Sequence, residues 1–349
     1  QDIVLGTEIK NENEVIIDGQ YIGRLNGLRL NLDLKSGSLK TDIKSLKKAA
    51  RQAIAPELAR RAKKIIRSEV LRFDEDHKIY WMDNPIAYIQ KGKDYLNPKI
   101  ELLVDEAMEE ESRLQLKLNL EKKIYNLIED ELSDLVKLTK IKFENNYSRA
   151  LCFQLFENNG VLKRENINQI VKNISKEERA KLRKVGIKIG RYHIFLPKML
   201  KPNAVSLRIK LWKLYYPKDY KNIIPKSGLN FLKDDKINSR KFLLICGFEN
   251  FKNFYIRVDI LERLFLKIID NTKKGMFKVD SDMINLIGCS RENFFELLKL
   301  MHYKPEKTKE NKEDFFIYKP NLLNKKNKAT TKKLNKSNPF EKLSEIRFR

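Results

Sequence analysis

Apolar and polar residues are patterned most sharply in two stretches of the first hundred residues, Val15-Ile16-Ile17-Asp18-Gly19-Gln20-Tyr21-Ile22-Gly23-Arg24-Leu25 and Lys78-Ile79-Tyr80-Trp81-Met82-Asp83-Asn84-Pro85-Ile86-Ala87-Tyr88-Ile89. Each is an apolar run, a polar tight turn and a second apolar run. That is a β-hairpin signature, and Asp18-Gly19 is its strongest form. A further apolar run follows each, at 28–34 and 100–104, so the pattern predicts two three-stranded meanders as an internal repeat, packed together or in tandem. Between them the period turns helical, with Leu46, Ala49, Ala50, Ala53 and Ile54, then Leu58, Ala62, Ile65 and Ile66. Pro56 is expected to open a second helix in its first turn, with Glu57 at the dipole-favoured end. The cations Lys47, Lys48, Arg51, Arg60, Arg61, Lys63 and Lys64 are assigned to the outer faces, as solvated charge or as a second nucleic-acid contact.

From 105 to 139 the chain is acidic at its start (Glu109, Glu110, Glu111) and carries a broad apolar stripe through Leu114, Leu118, Leu120, Ile124, Leu127, Ile128, Leu132, Leu135 and Leu138. This predicts one long helix in a bundle core. A helix over 146–158 ends at Asn159-Gly160, and Ser175 with Glu178 has capping-box spacing for the next one. The segment 185–197 reads as extended, because β-branched and aromatic residues recur around Gly186 and Gly190, which would be costly inside a helix, and Pro197 closes it. After Pro202 a basic, partly buried helix is expected from Val205, Leu207, Ile209, Leu211, Trp212 and Tyr215. Further on, 242–248 and 254–258 read as a hairpin around Asn250. Asp259 with Glu262 is expected to cap a helix with Leu261, Leu264, Phe265 and Ile268 in its core. A strand at 276–279, a helix capped by Asp280 and stopped by Gly288, a helix capped by Ser290 over 291–301 and a strand at 315–318 complete a winged-helix order, with 304–314 as the wing.

Charge changes what this arrangement implies. The 349 residues carry a formal net charge of +25, and the stretch 179–226 holds 14 Lys and Arg against the single acid Asp219, about half of that excess. Cations interleaved with aromatics on a strand and a helix suit a surface that tracks a nucleic-acid backbone. A solvated basic face is the alternative. On the first reading Lys188, Arg191, Lys198, Lys201, Arg208 and Lys210 contact phosphates and Tyr192 and Trp212 stack on bases, unless those aromatics belong to the core. In the winged-helix-like module Arg291 and Lys299 are the candidate contacts, although such modules also serve protein contacts. The segment 319–336, with seven lysines and no acid, reads as a disordered arm. The apolar runs fall short of the roughly 20 residues of a membrane span, and without a signal-peptide pattern a cytoplasmic location is expected. Cys152, Cys246 and Cys289 stand apart, as do His77, His193 and His302, so neither a zinc site nor a disulfide framework is indicated. Gln1 stands where a methionine is usual, which suggests a processed product, an expressed piece or the remainder of something longer.

Asp74-Glu75-Asp76-His77 has the letters of a helicase DExH box. Such a box works opposite a G-x-x-x-x-G-K-[ST] phosphate loop, which the sequence lacks, so these residues are read as a polar turn. A resemblance emerges instead from Gly186-Ile187-Lys188-Ile189-Gly190-Arg191-Tyr192-His193, Leu196-Pro197, Leu200-Lys201-Pro202, Ile224-Pro225-Lys226, Val258-Asp259-Ile260-Leu261-Glu262-Arg263-Leu264, Leu286-Ile287-Gly288-Cys289-Ser290 and Asn338-Pro339-Phe340-Glu341-Lys342-Leu343. In this order, together with the doubled hairpin, the chain resembles the C-terminal region of alphaproteobacterial DExH-type helicases related to the mitochondrial RNA-degradosome helicase. The resemblance implies an accessory region that guides RNA or DNA for an ATP-dependent helicase, whose motor, with its ATP and Mg²⁺, would lie N-terminal to these residues. A protein-docking platform is the other reading, with the acidic helix and the winged-helix-like module recruiting a nuclease or ribosomal partner. No catalytic constellation is evident in the sequence. The expected fold is mainly α with small antiparallel β elements (α+β): repeated β-meanders over 1–105, a helical bundle over 106–178, the basic strand-helix segment 179–236, a winged-helix-like module over 237–320 and a basic tail, 321–349.

Overall fold

The computed structural model describes residues 7–318 apart from 11–12, 18, 34–39, 70–71, 217–223, 227, 235–238 and 307–313. It is an α+β fold, and the chain divides into two compact units, Gln1–Gly228 with Asn238–Phe248, and Leu229–Ile237 with Glu249–Arg349. The expected Asp18 turn residue, most of the expected wing and the tail fall outside the described residues.

The first unit opens with β1 (Thr7–Lys10), β2 (Glu14–Ile17), β3 (Gln20–Asn26) and β4 (Arg29–Leu32), an antiparallel sheet in sequence order. After α1 (Lys40–Arg67), strands β5 (Arg72–Phe73), β6 (Lys78–Trp81), β7 (Asn84–Gln90) and β8 (Lys99–Leu102) form a second sheet of the same order. Each sheet thus has one strand more than the pattern indicates. Their registers correspond: positions in the second sheet lie 64 residues after their counterparts in the first, Ile79 for Val15 and Ala87 for Gly23, and both sheets shift register at the same step, after Val15 and after Ile79. In the fourth strands the offset is 70, Leu102 for Leu32, because six extra residues precede β8. A parallel bridge from Leu28 to Val104 ties the two sheets together.

One 28-residue helix, α1, runs through Pro56, where the sequence pattern predicts the start of a second helix. Proline costs a helix interior about 3 kcal/mol, but Ala50, Ile54, Leu58, Ala62 and Ile65 form an unbroken stripe at 0–1% exposure, and their burial outweighs the lost backbone bond. Arg61 is not on the outer face. It is buried, and its guanidinium donates to the carbonyls of Leu25 (3.2 Å) and Gly27 (2.9 Å) and to Glu57 (2.9 Å), fastening the first sheet to α1.

The acidic stretch is two helices, α2 (Glu110–Glu131) and α3 (Ser133–Lys140), broken at Leu132. They are followed by α4 (Asn146–Glu157), β9 (Val161–Lys163), α5 (Asn168–Lys172), α6 (Lys176–Lys184), β10 (Lys188–Ile189) and β11 (His193–Phe195), with a sheet order of β10-β11-β9. A 3₁₀ turn, Pro197–Leu200, leads into α7 (Pro202–Tyr215), with Pro202 in the first helical turn. In the second unit β12 (Phe231–Lys233) is followed along the chain by α8 (Arg240–Ile245), which belongs to the first unit, and then by β13 (Phe248–Phe251) and β14 (Phe254–Arg257). The expected strand at 242–248 is therefore mostly helix. Its uninterrupted apolar run has no period to separate the two states, and Gly247, at φ +84° and with its Cα where a side chain would collide with Leu200, ends it.

Next come α9 (Val258–Asp270), β15 (Thr272–Lys273), β16 (Met276–Lys278), α10 (Ser281–Ile287), α11 (Arg291–Leu300), β17 (Lys304–Pro305) and β18 (Phe315–Ile317), with the sheet ordered β15-β16-β18-β17. Asp280 caps α10 by accepting from the Met283 amide (2.8 Å), and Ser290 caps α11 by accepting from that of Asn293 (3.3 Å). Asp259 does not cap α9. Arg257 stands at the N-cap and donates two bonds to the Asp259 carboxylate, at 2.6 and 3.0 Å.

Candidate nucleic-acid interface

The candidate surface begins where α6 gives way to β10. Gly186 has φ +99°, and a side chain there would press on the Asp134 carboxylate at 3.0 Å, so glycine is required both for the turn and for the close approach. Asp134, itself buried, accepts from Lys198 (3.1 Å) and from Lys137 (3.3 Å). That pairing tethers the 3₁₀ turn to α3 while half of the Lys198 side chain stays in solvent. Arg164 fixes the β10–β11 turn from the other side, donating to the Gly190 carbonyl (2.8 Å) through its guanidinium and to the Tyr192 carbonyl (2.9 Å) through its amide.

On this frame Lys188 is exposed on edge strand β10, its ammonium 5.7 Å from the centre of the buried Phe195 ring. Lys201 is exposed at the N-cap of α7, whose positive dipole end adds to its charge. Arg191 and Tyr192, in the turn, are half-buried and engaged with neighbours in the fold. Lys184, exposed in the last turn of α6, lies close in sequence to this group and was not singled out by the pattern.

Three expected contacts are corrected because α7 is buried on nearly every side. Arg208 is fully buried. Nη1 donates to the Met199 carbonyl at 2.6 Å, Nε and Nη2 have no partner among the described residues, and burial pushes its pKa down to about 10. Lys210 is half-buried and donates to the Phe73 carbonyl at 2.8 Å above that ring, and burial lowers its pKa. Trp212 is a core residue, stacked on Tyr216 with ring centres 4.8 Å apart and tilted against Phe242 at 5.5 Å. The inward cations tie α7 to the second meander: Lys213 pairs with Glu75 at 2.9 Å, and His77 Nε2 lies 2.8 Å from the Lys210 carbonyl. The Asp74–His77 segment is the polar turn between β5 and β6, where Asp74 accepts from the Lys78 amide at 2.8 Å.

Within the second unit Arg291 is half-exposed, pairs with Asp314 and lies 5.5 Å from the centre of the Phe295 ring. Lys299 is exposed in the last turn of α11. Sequence patterning missed Lys123, whose ammonium donates to the carbonyls of Ile65 (3.0 Å), Ile66 (3.0 Å) and Ser68 (2.5 Å) at the end of α1. Its contacts join segments more than fifty residues apart, and nothing in the local sequence signals them. Among the described residues no group of His, Cys, Asp and Glu could hold a metal ion, and no helix is long and apolar enough to cross a membrane. Comparison of the chain with protein families, with curated proteins and with solved structures finds no match.

Proposed function

We propose that the chain is a cytoplasmic nucleic-acid-binding accessory region of an ATP-dependent helicase, and that it guides a single strand of RNA or DNA along β10, the 3₁₀ turn and the N-terminus of α7. The observation that carries this reading is that Lys188, Lys198 and Lys201 remain exposed on one short run of chain whose neighbouring cations, Arg208, Lys210 and Lys213, are drawn inward. ATP and Mg²⁺ belong, on this reading, to motor domains preceding these residues, and no step of nucleotide chemistry is assigned to this chain. The order β16-β18-β17, with α10 and α11 between β16 and β17, supports reading the second unit as a winged helix with Arg291 and Lys299 as its nucleic-acid contacts.

The phosphate contacts proposed in the central stretch are the exposed Lys188, Lys198 and Lys201 together with Arg191, which is half-buried and engaged within the fold. For a single strand the logarithm of affinity should then fall with that of salt at a slope of about −3. Fluorescence anisotropy with labelled oligonucleotides measures it. Lys188→Glu with Arg191→Glu is expected to flatten the slope by one to two units, whereas Lys332→Glu with Lys333→Glu leaves it in place. Unchanged slope and affinity in the first variant, with binding abolished in the second, would transfer the site to the tail.

A further inference from the structure

We propose that the outward side of α2 docks a basic amphipathic helix from another protein. This helix buries Leu116, Leu120, Ile124 and Ile128, yet Leu114 and Leu118 are each 56% exposed and Tyr125 is 40% exposed. At about 100° per residue these three side chains fall within about 40° of one another, so they form one stripe. A helix that only covered its own core would carry polar residues there. The stripe runs into a half-open groove of about 260 Å³ between α2 and the start of β8, lined by Leu96, Pro98, Ile100, Glu121, Ile124 and Tyr125. Stripe and groove together match the helix-in-groove mode, in which apolar anchors one turn apart enter a recess.

Charge selects the occupant. Glu110 and Glu111 stand at one end of the stripe and Glu129 at the other, each within about 60° of its line and about 27–29 Å apart along the helix axis. Their internal partners leave charge to spare. Glu110 meets Arg113 only at 3.9 Å while 90% exposed, Glu111 accepts from Gln115 at 3.1 Å, and Glu129, paired with Lys140 at 2.8 Å, is still 44% exposed. Lys117 and Lys122 are the exposed cations between the two ends. A second copy of α2 laid along the stripe in either direction would bring acid against acid, which opposes self-pairing. A helix with apolar anchors in its middle and lysine or arginine in both terminal turns complements the surface along its whole length.

The test uses the whole chain and a synthetic 20-residue peptide with leucines at i, i+3, i+4 and i+7 spacing and lysines in both terminal turns. A control peptide has the same leucines and glutamates at the ends. Because the whole chain is strongly cationic, unspecific attraction would favour the control. The expected result in titration calorimetry is binding of the lysine-ended peptide at least about tenfold tighter than of the control, and a loss of about tenfold in Leu114→Ser with Leu118→Ser. Both leucines are exposed, so the variant should keep its circular dichroism melt and its oligonucleotide affinity. Equal binding of the two peptides, or an unaffected double variant, would overturn the proposal. Concentration-dependent self-association that the double variant abolishes would overturn it in favour of a second copy.

Discussion

Replacing Arg208 by methionine isolates the difference between a cation that contacts phosphate and one that is built into the core. Among the described residues its guanidinium makes one hydrogen bond, to the Met199 carbonyl, and leaves Nε and Nη2 unpaired out of solvent. Each unpaired buried donor costs about 1–3 kcal/mol, and the one charged bond contributes about 1.5–3 kcal/mol. Methionine of similar length removes both costs and the bond, and strands the Met199 carbonyl at a further cost of about 1–3 kcal/mol. The relieved costs sum to about 2–6 kcal/mol and the losses to about 2.5–6 kcal/mol, so the balance lies close to neutral, within about 2 kcal/mol either way, in line with buried charges exchanged for apolar isosteres. For a unit of this size that keeps the Tm within about 8 °C of the native value, since 1 kcal/mol moves the midpoint by about 2–4 °C. Arg208→Ala instead leaves a cavity and should lower stability by about 2–5 kcal/mol. Thermal melting of the three proteins and a salt titration of oligonucleotide binding form the assay. A methionine variant that melts more than 10 °C lower would mean that the guanidinium holds an acceptor that outweighs its burial. One that melts normally but flattens the salt slope by about one unit would mean that Arg208 reaches the strand and is not confined to the core.

Other outcomes follow from the same geometry. Lys123→Met leaves three carbonyls at the end of α1 without their ammonium and should destabilise the first unit by about 2–3 kcal/mol in urea unfolding, whereas an unchanged midpoint would mean that water replaces it. Burial holds the His77 pKa below its ordinary 6.5, with the nearby Lys213 lowering it further against Asp74 and Asp76. The stability it contributes is therefore complete above pH 6.5 and is lost as pH falls towards the folded-state value; His77→Gln should remove that part of the pH dependence of Tm between 7 and 5. Burial pushes the thiols of Cys152 and Cys246 up to about 12 and that of Cys289 to about 11, so the native protein should react with a thiol reagent at pH 8 only slowly, and one equivalent of fast labelling would contradict the packing. A fragment beginning at 229 should melt cooperatively at higher temperature than one beginning at 237, because β12 pairs with β14 and Phe231 packs on Phe254 with ring centres 5.4 Å apart.

What the sequence reveals correctly is local. Ser175, Asp280 and Ser290 each cap a helix through a side chain that reaches an amide three residues on, and the hairpins around Gly19 and Asp83 need only a turn flanked by apolar runs. What it conceals depends on partners far along the chain. Pro56 is tolerated because of what α1 packs against, and the run at 242–248 is buried without a period. Glu178 has the spacing to complete a capping box with Ser175, but its carboxylate accepts from the hydroxyl of Ser148 on α4 at 2.9 Å. The spacing is the same whichever partner the fold supplies.

In the candidate interface, too, distant partners decide which cations face solvent. A count of lysine and arginine treats every one as surface, and in 179–226 the count is what marks the stretch. The fold divides them by the element that holds them. On α7, buried nearly all round, Arg208, Lys210 and Lys213 spend their donors on a carbonyl, a carbonyl and a carboxylate. On the edge strand and at the start of α7, Lys188 and Lys201 keep theirs in reach of a ligand, and on the 3₁₀ turn Lys198 stays half in solvent while it pairs with Asp134. The electrostatic footprint is thus smaller than the composition implies and sits at the start of α7 instead of along it. A strand bound there would meet the positive end of a helix and a short row of lysines, a geometry that favours phosphate over base edges and so binding with little sequence preference.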